Sequence, residues 1–379
     1  MLWLFQGLWV KTAFLACFLL SPPSLYSQPG RNQGRPQRMS EGFTVVVHKP
    51  SELKQRIPER MVPAVRRLRV EGVLSSEDVR FLQRLASRTT LKDTLGKRLE
   101  PFFDLDLADA TIPEGSFGSK KGVTRIPADF MRGSTILRRI VLPINTEHIG
   151  KGAFQNCKKL REIQIPMGVK SIDSQAFSGD GEIINVALPR TLRKIGNGCF
   201  ENCVGLQEIV LHDGLEEIGS SAFKNTAITK ILMPETVRSI GAEAFANTAI
   251  EYIEIPRSLN NINFAAFDGC KNLQSFYVSA ENRNYSDVEG MLTNKERTAV
   301  VRVATGRIGT CKIPEGITGI DDYAFSGCGK IREVKFPQSL KQMGKGAFKN
   351  CVGLGKVEVS SRITVLLALL RLPEQVCVK

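Results

Sequence analysis

Nine phenylalanines recur along this chain at a nearly constant stride, and no other feature constrains the fold as much. They are Phe130, Phe154, Phe177, Phe200, Phe223, Phe245, Phe267, Phe325 and Phe348, separated by 24, 23, 23, 23, 22, 22, 58 and 23 residues. A unit this short cannot close a core of its own. Such units stack, each giving one short strand and one turn or short helix, into a solenoid that buries one continuous apolar column. In this architecture function belongs to a long surface more often than to a pocket.

Aligned on the phenylalanine, one unit reads Leu160-x-x-Ile163-x-Ile165-Pro166, then Val169-x-x-Ile172, then Ala176-Phe177. The same order returns at Ile228, Ile231, Met233, Pro234, Val237, Ile240, Ala244 and Phe245, and again at Ile331, Val334, Phe336, Pro337, Leu340, Met343, Ala347 and Phe348. Apolar residues two apart place one face of a strand inward. Proline, having no N–H for the ladder, ends it. Valine and isoleucine then resume the core column in the following turn, and a small residue beside a large ring fills the widest part of the section. The 58-residue gap holds one unit plus about 35 extra residues, given that period. Within it Met291–Thr293, the polar Asn294–Arg297 and Thr298–Val303 predict a β-hairpin. The fold expected is an α/β leucine-rich-repeat solenoid of nine to ten units over 99–359, with strands on its concave face. A hairpin insertion at 281–306 would form a projecting lip beside Tyr277.

These residues resemble the BspA-like, treponemal-type leucine-rich repeats, whose units follow I-x-I-P…V-x-x-I-x-x-x-A-F-x-x-C. The insert is similar to that family's islands at Asn284-Tyr285, Glu289-Gly290-Met291-Leu292 and Asn294-Lys295, and Val65–Leu85 resembles its N-terminal cap. The resemblance covers about four-fifths of the chain. It implies a bacterial surface or secreted binding protein, often an adhesin for host matrix proteins or other bacteria. It carries over no catalytic residue and no cofactor.

Outside the repeats, 1–27 reads as an export signal: Lys11, the apolar run Thr12–Leu20, then Ser21-Pro22-Pro23 and small residues near Ser27. Lipidation at Cys17 is disfavoured because Phe18-Leu19-Leu20 continue the run beyond it. Residues 28–40 read as a flexible basic linker. Residues 41–98 read as a cap, with strands at Phe43–His48 and Val65–Val70 and a helix at Ser76–Ser87 capped by Ser75 or Ser76. The tail at 360–379 carries the apolar run Ile363–Leu370, too short to span a membrane.

The formal charge of +14 favours acidic partners, among them anionic glycans and acidic proteins, with clusters at Arg31, Arg35 and Arg38 and at Arg66, Arg67 and Arg69. Nucleic acid is disfavoured, since no binding module for it is visible. Cys157, Cys203, Cys270, Cys328 and Cys351 all follow a repeat phenylalanine by three residues, in a slot that Asp180, Thr226 and Thr248 take elsewhere. That slot reads as small and buried, its cysteines as reduced structural thiols, with a disulfide between Cys328 and Cys351 of adjacent repeats the geometrically permitted alternative. No C-x-x-C spacing points to zinc. Three scattered histidines, His48, His148 and His212, offer no catalytic constellation, so the chain reads as a binding protein and not an enzyme.

The outward strand positions carry the functional expectation. One column reads Arg139, Glu162, Asn185, Glu208, Lys230, Tyr252, Ser275, Glu333 and Lys356. Its neighbour reads Val141, Gln164, Ala187, Val210, Leu232, Glu254, Tyr277, Lys335 and Glu358. Val210, Leu232, Tyr252 and Tyr277, flanked by Lys230 and Glu254, form the candidate ligand-binding patch for a protein partner. Strand propensity of valine and tyrosine is the competing explanation. Two other functions stay open: a periplasmic or envelope scaffold, and charge-driven binding of anionic glycans.

Overall fold

The computed structural model describes residues 43–57, 59–88, 91–92, 98–99, 102–112, 124–358 and 377–378. The expected export signal at 1–27, the expected basic linker at 28–40 and nearly all of the tail lie outside these residues. The repeats wind as a parallel β-solenoid with little helix. Helices Leu53–Arg56 (α1) and Ser76–Ala86 (α2) both precede the repeats.

Each typical turn carries two strands, where the sequence suggested one. The I-x-I position forms the first, as in Leu137–Val141, Glu162–Gln164, Asn185–Ala187 and Glu208–Val210. The V-x-x-I position forms a second, two-residue strand instead of a turn. Five of these, from Ser171–Ile172 to Asn261–Ile262, pair in parallel as one sheet with the longer Thr124–Ile126 and Thr146–Ile149. The isoleucine of each pair points inward and is buried at Ile172, Ile195, Ile218 and Ile240, so the same residue that fills the core sets the register of the second sheet.

Between the second strand and the next turn lies the phenylalanine. Its N–H donates to the carbonyl just before the next phenylalanine: Phe154 to Ala176 at 2.8 Å, Phe177 to Cys199 at 2.9 Å, Phe223 to Ala244 at 2.7 Å. Six rings from Phe154 to Phe267 stack with centroids 5.2–5.6 Å apart and planes within 14° of parallel. That spacing is close to the distance between neighbouring strands, so the rings follow the rungs in offset stacks. To sustain the turn, the residues two before and two after the ring take positive φ. The first set is Gly152, Gln175, Gly198, Ser221, Glu243, Tyr323 and Gly346; the second is Asn156, Gly179, Asn202, Asn225, Asn247, Gly269, Gly327 and Asn350. Asparagine and glycine dominate the second set because they tolerate the left-handed region best. Three of these asparagines also join side chains from turn to turn, Asn247 to Asn225 at 2.8 Å and Asn225 to Asn202 at 2.7 Å.

The same rung hydrogen bond corrects the phenylalanine column at both ends of the spacing irregularities. In the first turn Met131, not Phe130, donates to the carbonyl of Ala153. Phe130 is buried one residue out of phase and meets Phe154 edge-on at 82°. The leading gap of 24 is this shift. Within the long gap Val303 takes the slot, its N–H donating to the carbonyl of Ala324. Phe267 and Val303 are 36 residues apart, Val303 and Phe325 only 22. The insertion therefore lengthens a single turn by about one-half of the period, and the next turn is of normal length without a ring.

Nor does the insertion project. Tyr285–Val288, Met291–Asn294 and Ala299–Arg302 form an antiparallel sheet, and Ala299–Arg302 continues in parallel with Gly319–Ile320. Met291, Leu292 and Thr293 are buried, and Phe276 N–H donates to Gly290 O at 3.0 Å. Buried Asn282 holds the approach, donating to Pro256 O and Leu259 O and accepting from the N–H groups of Asn284 and Tyr285. With valine in the ring slot the apolar column divides: one cluster runs from Val45 to Ala304 and a second from Met291 to Val357. Arg302, 3% exposed, bridges the division through Asp268 and the carbonyls of Tyr323 and Ser326.

Before the repeats, Phe43–Val47 and Arg67–Val73 pair in parallel and run on through Phe103–Asp106 into the first sheet of the solenoid. Helix α2 starts with a capping box: Ser75 accepts from Asp78 N–H, and the Asp78 carboxylate accepts from Ser75 N–H at 2.8 Å. The same carboxylate accepts from Ser51 and Leu53 N–H, so one side chain joins α2 to the start of α1. At the other end Cys377–Val378 pairs in parallel with Lys356–Glu358.

The slot three residues after the ring is polar but closed. Cys157, Cys199, Cys203, Cys270, Cys311, Cys328 and Cys351 are free and buried. Four donate S–H to the carbonyl of the ring-position residue of the preceding turn: Cys157 to Met131 O, Cys203 to Phe177 O, Cys270 to Phe245 O and Cys351 to Phe325 O, each at 3.0 Å. Thr226 and Thr248 instead return to the ring residue of their own turn at 2.9 and 2.8 Å. Asp180 accepts from Cys157 N–H through one oxygen, while the other is buried without a partner. Burial pushes this carboxyl well above its ordinary value of 3.8.

Three outcomes follow from these contacts. Phe200→Ala should cost about 3–5 kcal/mol in urea unfolding, the range for deleting a buried ring, with Phe200→Leu costing less. For Asp180 both folded and unfolded chains are protonated at low pH, and above the ordinary carboxylate range the unfolded chain ionises first. Stability is thus lost as pH rises, and Asp180→Thr should gain about 1–3 kcal/mol near pH 7 and almost nothing near pH 3. A gain equal at both pH values would refute this. Third, amide hydrogen exchange should show residues 309–358 opening at lower free energy than 146–262, and Arg302→Ala should widen that difference.

Candidate binding surface

The candidate patch depends on the alternation of the first strand in each turn. In Tyr252–Ile255 the residues Ile253 and Ile255 are buried, which turns Tyr252 and Glu254 outward. In Ser275–Val278 buried Phe276 does the same for Ser275 and Tyr277. The two strands are in register with Tyr252 opposite Ser275 and Glu254 opposite Tyr277. Tyr252 and Tyr277 are therefore diagonal neighbours, a separation long side chains span. Their rings meet edge-to-face at 6.1 Å and 71°. Tyr277 is 46% exposed, while Tyr252 is half-buried beneath that contact.

Leu232 is 40% exposed and Lys230 exposed, with Ile231 buried between them. The alternation persists, but Thr229–Met233 forms no strand. Ile231 follows Phe223 by eight residues where Ile209 follows Phe200 by nine, but this spacing does not itself exclude a strand, since Ile253 follows Phe245 by eight and pairs in register with Phe276. Ala249 N–H still donates to Ile228 O at 3.0 Å. Val210 ends the strand Glu208–Val210 and is half-buried, as is Glu254. The geometry thus brings Tyr252, Tyr277 and Glu254 onto one two-stranded ladder, leaves Lys230 and Leu232 on an irregular neighbouring segment, and sets Val210 on the ladder beyond it. Val141, in the same outward column, is buried.

The insertion borders this surface from inside the wall. Val278 N–H donates to Asp287 Oδ1 at 2.9 Å, and Arg307 donates to Glu289 O at 2.9 Å. Around it, charge is paired from turn to turn. Lys159 and Arg161 share Glu182 at 2.7 and 2.6 Å, Lys194 meets Glu217 at 2.8 Å, and Arg257 lies between Glu235 and Glu281. The pairs at one-period spacing are exposed and individually weak, but they interleave the two signs along the surface. Of the sequence clusters, Arg67 pairs with Asp104, and Arg69 with Glu71 and Asp109. Arg31, Arg35 and Arg38 lie outside the described residues.

The period also joins residues that look unrelated in sequence. His148 Nδ1 lies 2.7 Å from Ser171 Oγ, the two facing each other across neighbouring second strands. Their separation of 23 was the signal for this pair. Among the described residues no carboxylate hydrogen-bonds the imidazole, and no cluster of three or more His, Cys, Asp or Glu side chains could hold a metal ion. His212 is held below its ordinary value by burial and by Arg190. No helix among the described residues is long and apolar enough to cross a membrane.

The chain matches the family described as the BspA type leucine-rich repeat region, in six copies, over residues 124–248, 193–288 and 304–367. No curated protein matches it. Among solved structures it is similar to a leucine-rich repeat protein from Eubacterium ventriosum (22% identity, TM-score 0.47), covering 53% of this chain and 60% of that one. It is also similar to a leucine-rich cell surface protein from Faecalibacterium prausnitzii (25% identity, TM-score 0.48), covering 66% and 68%. A third is the pneumococcal vaccine antigen PcpA (16% identity, TM-score 0.44), covering 85% and 67%.

Proposed function

Because the chain belongs to the BspA-type leucine-rich-repeat family, we propose that it is a non-enzymatic binding protein, exported and displayed at a cell surface, that takes a protein ligand on the face formed by the first strand of each turn. The ligand class is a host extracellular-matrix protein or a surface protein of another cell. The observation that carries the reading is the Tyr252–Tyr277 contact with Tyr277 and Leu232 left open to solvent. Strand propensity accounts for tyrosines in strands, but not for an exposed leucine on a segment that is not a strand. Preordered aromatic side chains lose little freedom on binding and dominate the energy of many interfaces. Lys230 and Glu254 lie on the same outward columns and supply charges of both signs for orientation.

The test is binding of the full chain to immobilised matrix proteins, compared with a Leu232→Glu/Tyr277→Glu variant whose unfolding midpoint is unchanged. Loss of roughly tenfold or more in affinity, the hot-spot range, is the expected result. Equal binding by both would remove the patch from consideration. Binding that collapses with modest salt in both proteins would identify charge-driven attachment to anionic glycans instead.

A further inference from the structure

A second feature lies among the strands that precede the repeats and uses none of residues 210–277. A cavity of about 560 Å³ opens between Phe43, the 3-10 turn containing Met61 and Ala64, Val65 and Phe102, with Arg66, Arg67 and Arg138 on its wall. The guanidinium groups of Arg66 and Arg138 lie 3.8 and 3.9 Å from the centre of the Phe102 ring. Two cations that close to one centre occupy opposite faces of it, since on one face they would overlap. Arg138 is committed to Asp104, with Nε 3.0 Å from Oδ1 and a second bond to Oδ2, and Arg67 lies 3.6 Å from the same carboxylate.

Arg66 differs from its neighbours. It has no ion pair, and its Nε is buried with no hydrogen-bond acceptor among the described residues. The ring covers a face of the guanidinium but not its edge, where the N–H groups point. Arg66 as a whole is half-buried, so its terminal Nη groups, and not the enclosed Nε, are the donors an anion in the cavity meets.

We propose that this cavity binds a carboxylate carried on an apolar body. One unpaired guanidinium matches one negative charge, and its planar fork matches the two oxygens of a carboxylate. Phe43, Met61, Ala64 and Val65 supply the apolar wall for the rest of the ligand. Arg67 and Arg138, already engaged with Asp104, hold the ring and the strand beneath in place.

Calorimetric titration of the full chain with N-acetyl-phenylalanine, its neutral amide and a sulfated oligosaccharide decides the matter. The acid should bind, and the amide should bind at least tenfold more weakly. Arg66→Gln should lose the acid by a similar factor. Ala64→Trp, which fills the cavity and leaves the charge, should abolish binding without moving the unfolding midpoint; if Arg66→Gln fails to fold, Arg66→Lys and Ala64→Trp carry the test. The proposal is overturned if acid and amide bind alike, if either folded variant binds the acid as the native chain does, or if no heat is seen at roughly 10 mM acid. Tighter, Arg66-dependent binding of the sulfated sugar would also overturn the carboxylate assignment.

Discussion

Everything regular in this protein depends on one backbone hydrogen bond per turn, from the N–H of the ring-slot residue to the carbonyl before the next ring. It sets the rise from turn to turn, and the rise sets the 5.2–5.6 Å spacing of the rings. It also forces the chain to reverse sharply on either side, which is why two residues per turn sit at positive φ. The residue that fills the slot is secondary. Methionine and valine take it at positions 131 and 303 without breaking the rung. Backbone geometry, and not the phenylalanine itself, carries the array from turn to turn, except from Phe267, where no such bond spans the insertion among the described residues.

This explains which parts of the fold were legible in the sequence. Period, inward isoleucines and the buried polar slot all follow from side-chain chemistry, and the structure has them. The phenylalanine column was legible only where ring and slot coincide. At Phe130 the ring is one residue out of phase, and at Val303 no ring marks the slot, so a reading keyed to aromatic residues skipped a turn. The second strand was missed because two residues, such as Ser171-Ile172, are too few to show an alternation. Burial of the insertion was likewise hidden, since Met291-Leu292-Thr293 fits an exposed hairpin and a buried one equally well.

For the candidate surface, sequence gave the columns but not their neighbours. The diagonal meeting of Tyr252 and Tyr277 depends on a register that no single strand reveals. The irregular segment at Thr229–Met233 carries no spacing signal of its own, since Ile253 shares the eight-residue spacing of Ile231 and lies in a strand. Arg66 stood in the sequence as one of three clustered arginines. Only the side-chain partners separate it from Arg67 and Arg69. Clustered charge is thus a poor guide to available charge in a structure where partners arrive from the next turn.

The missing ring at Val303 has a mechanical meaning. A chain pulled along the axis of its turns is a series of similar links, and the load is the same in each. The link between Phe267 and Phe325 lacks the stacked ring pair found in the five consecutive contacts before it. With no ring stack across it, that link is the one expected to yield first. The 36 residues from Phe267 to Val303 then extend by roughly 120 Å at about 3.4 Å per residue, while the turns on the N-terminal side keep their shape. A solenoid built this way would lengthen under force before the rest of its turns unwind.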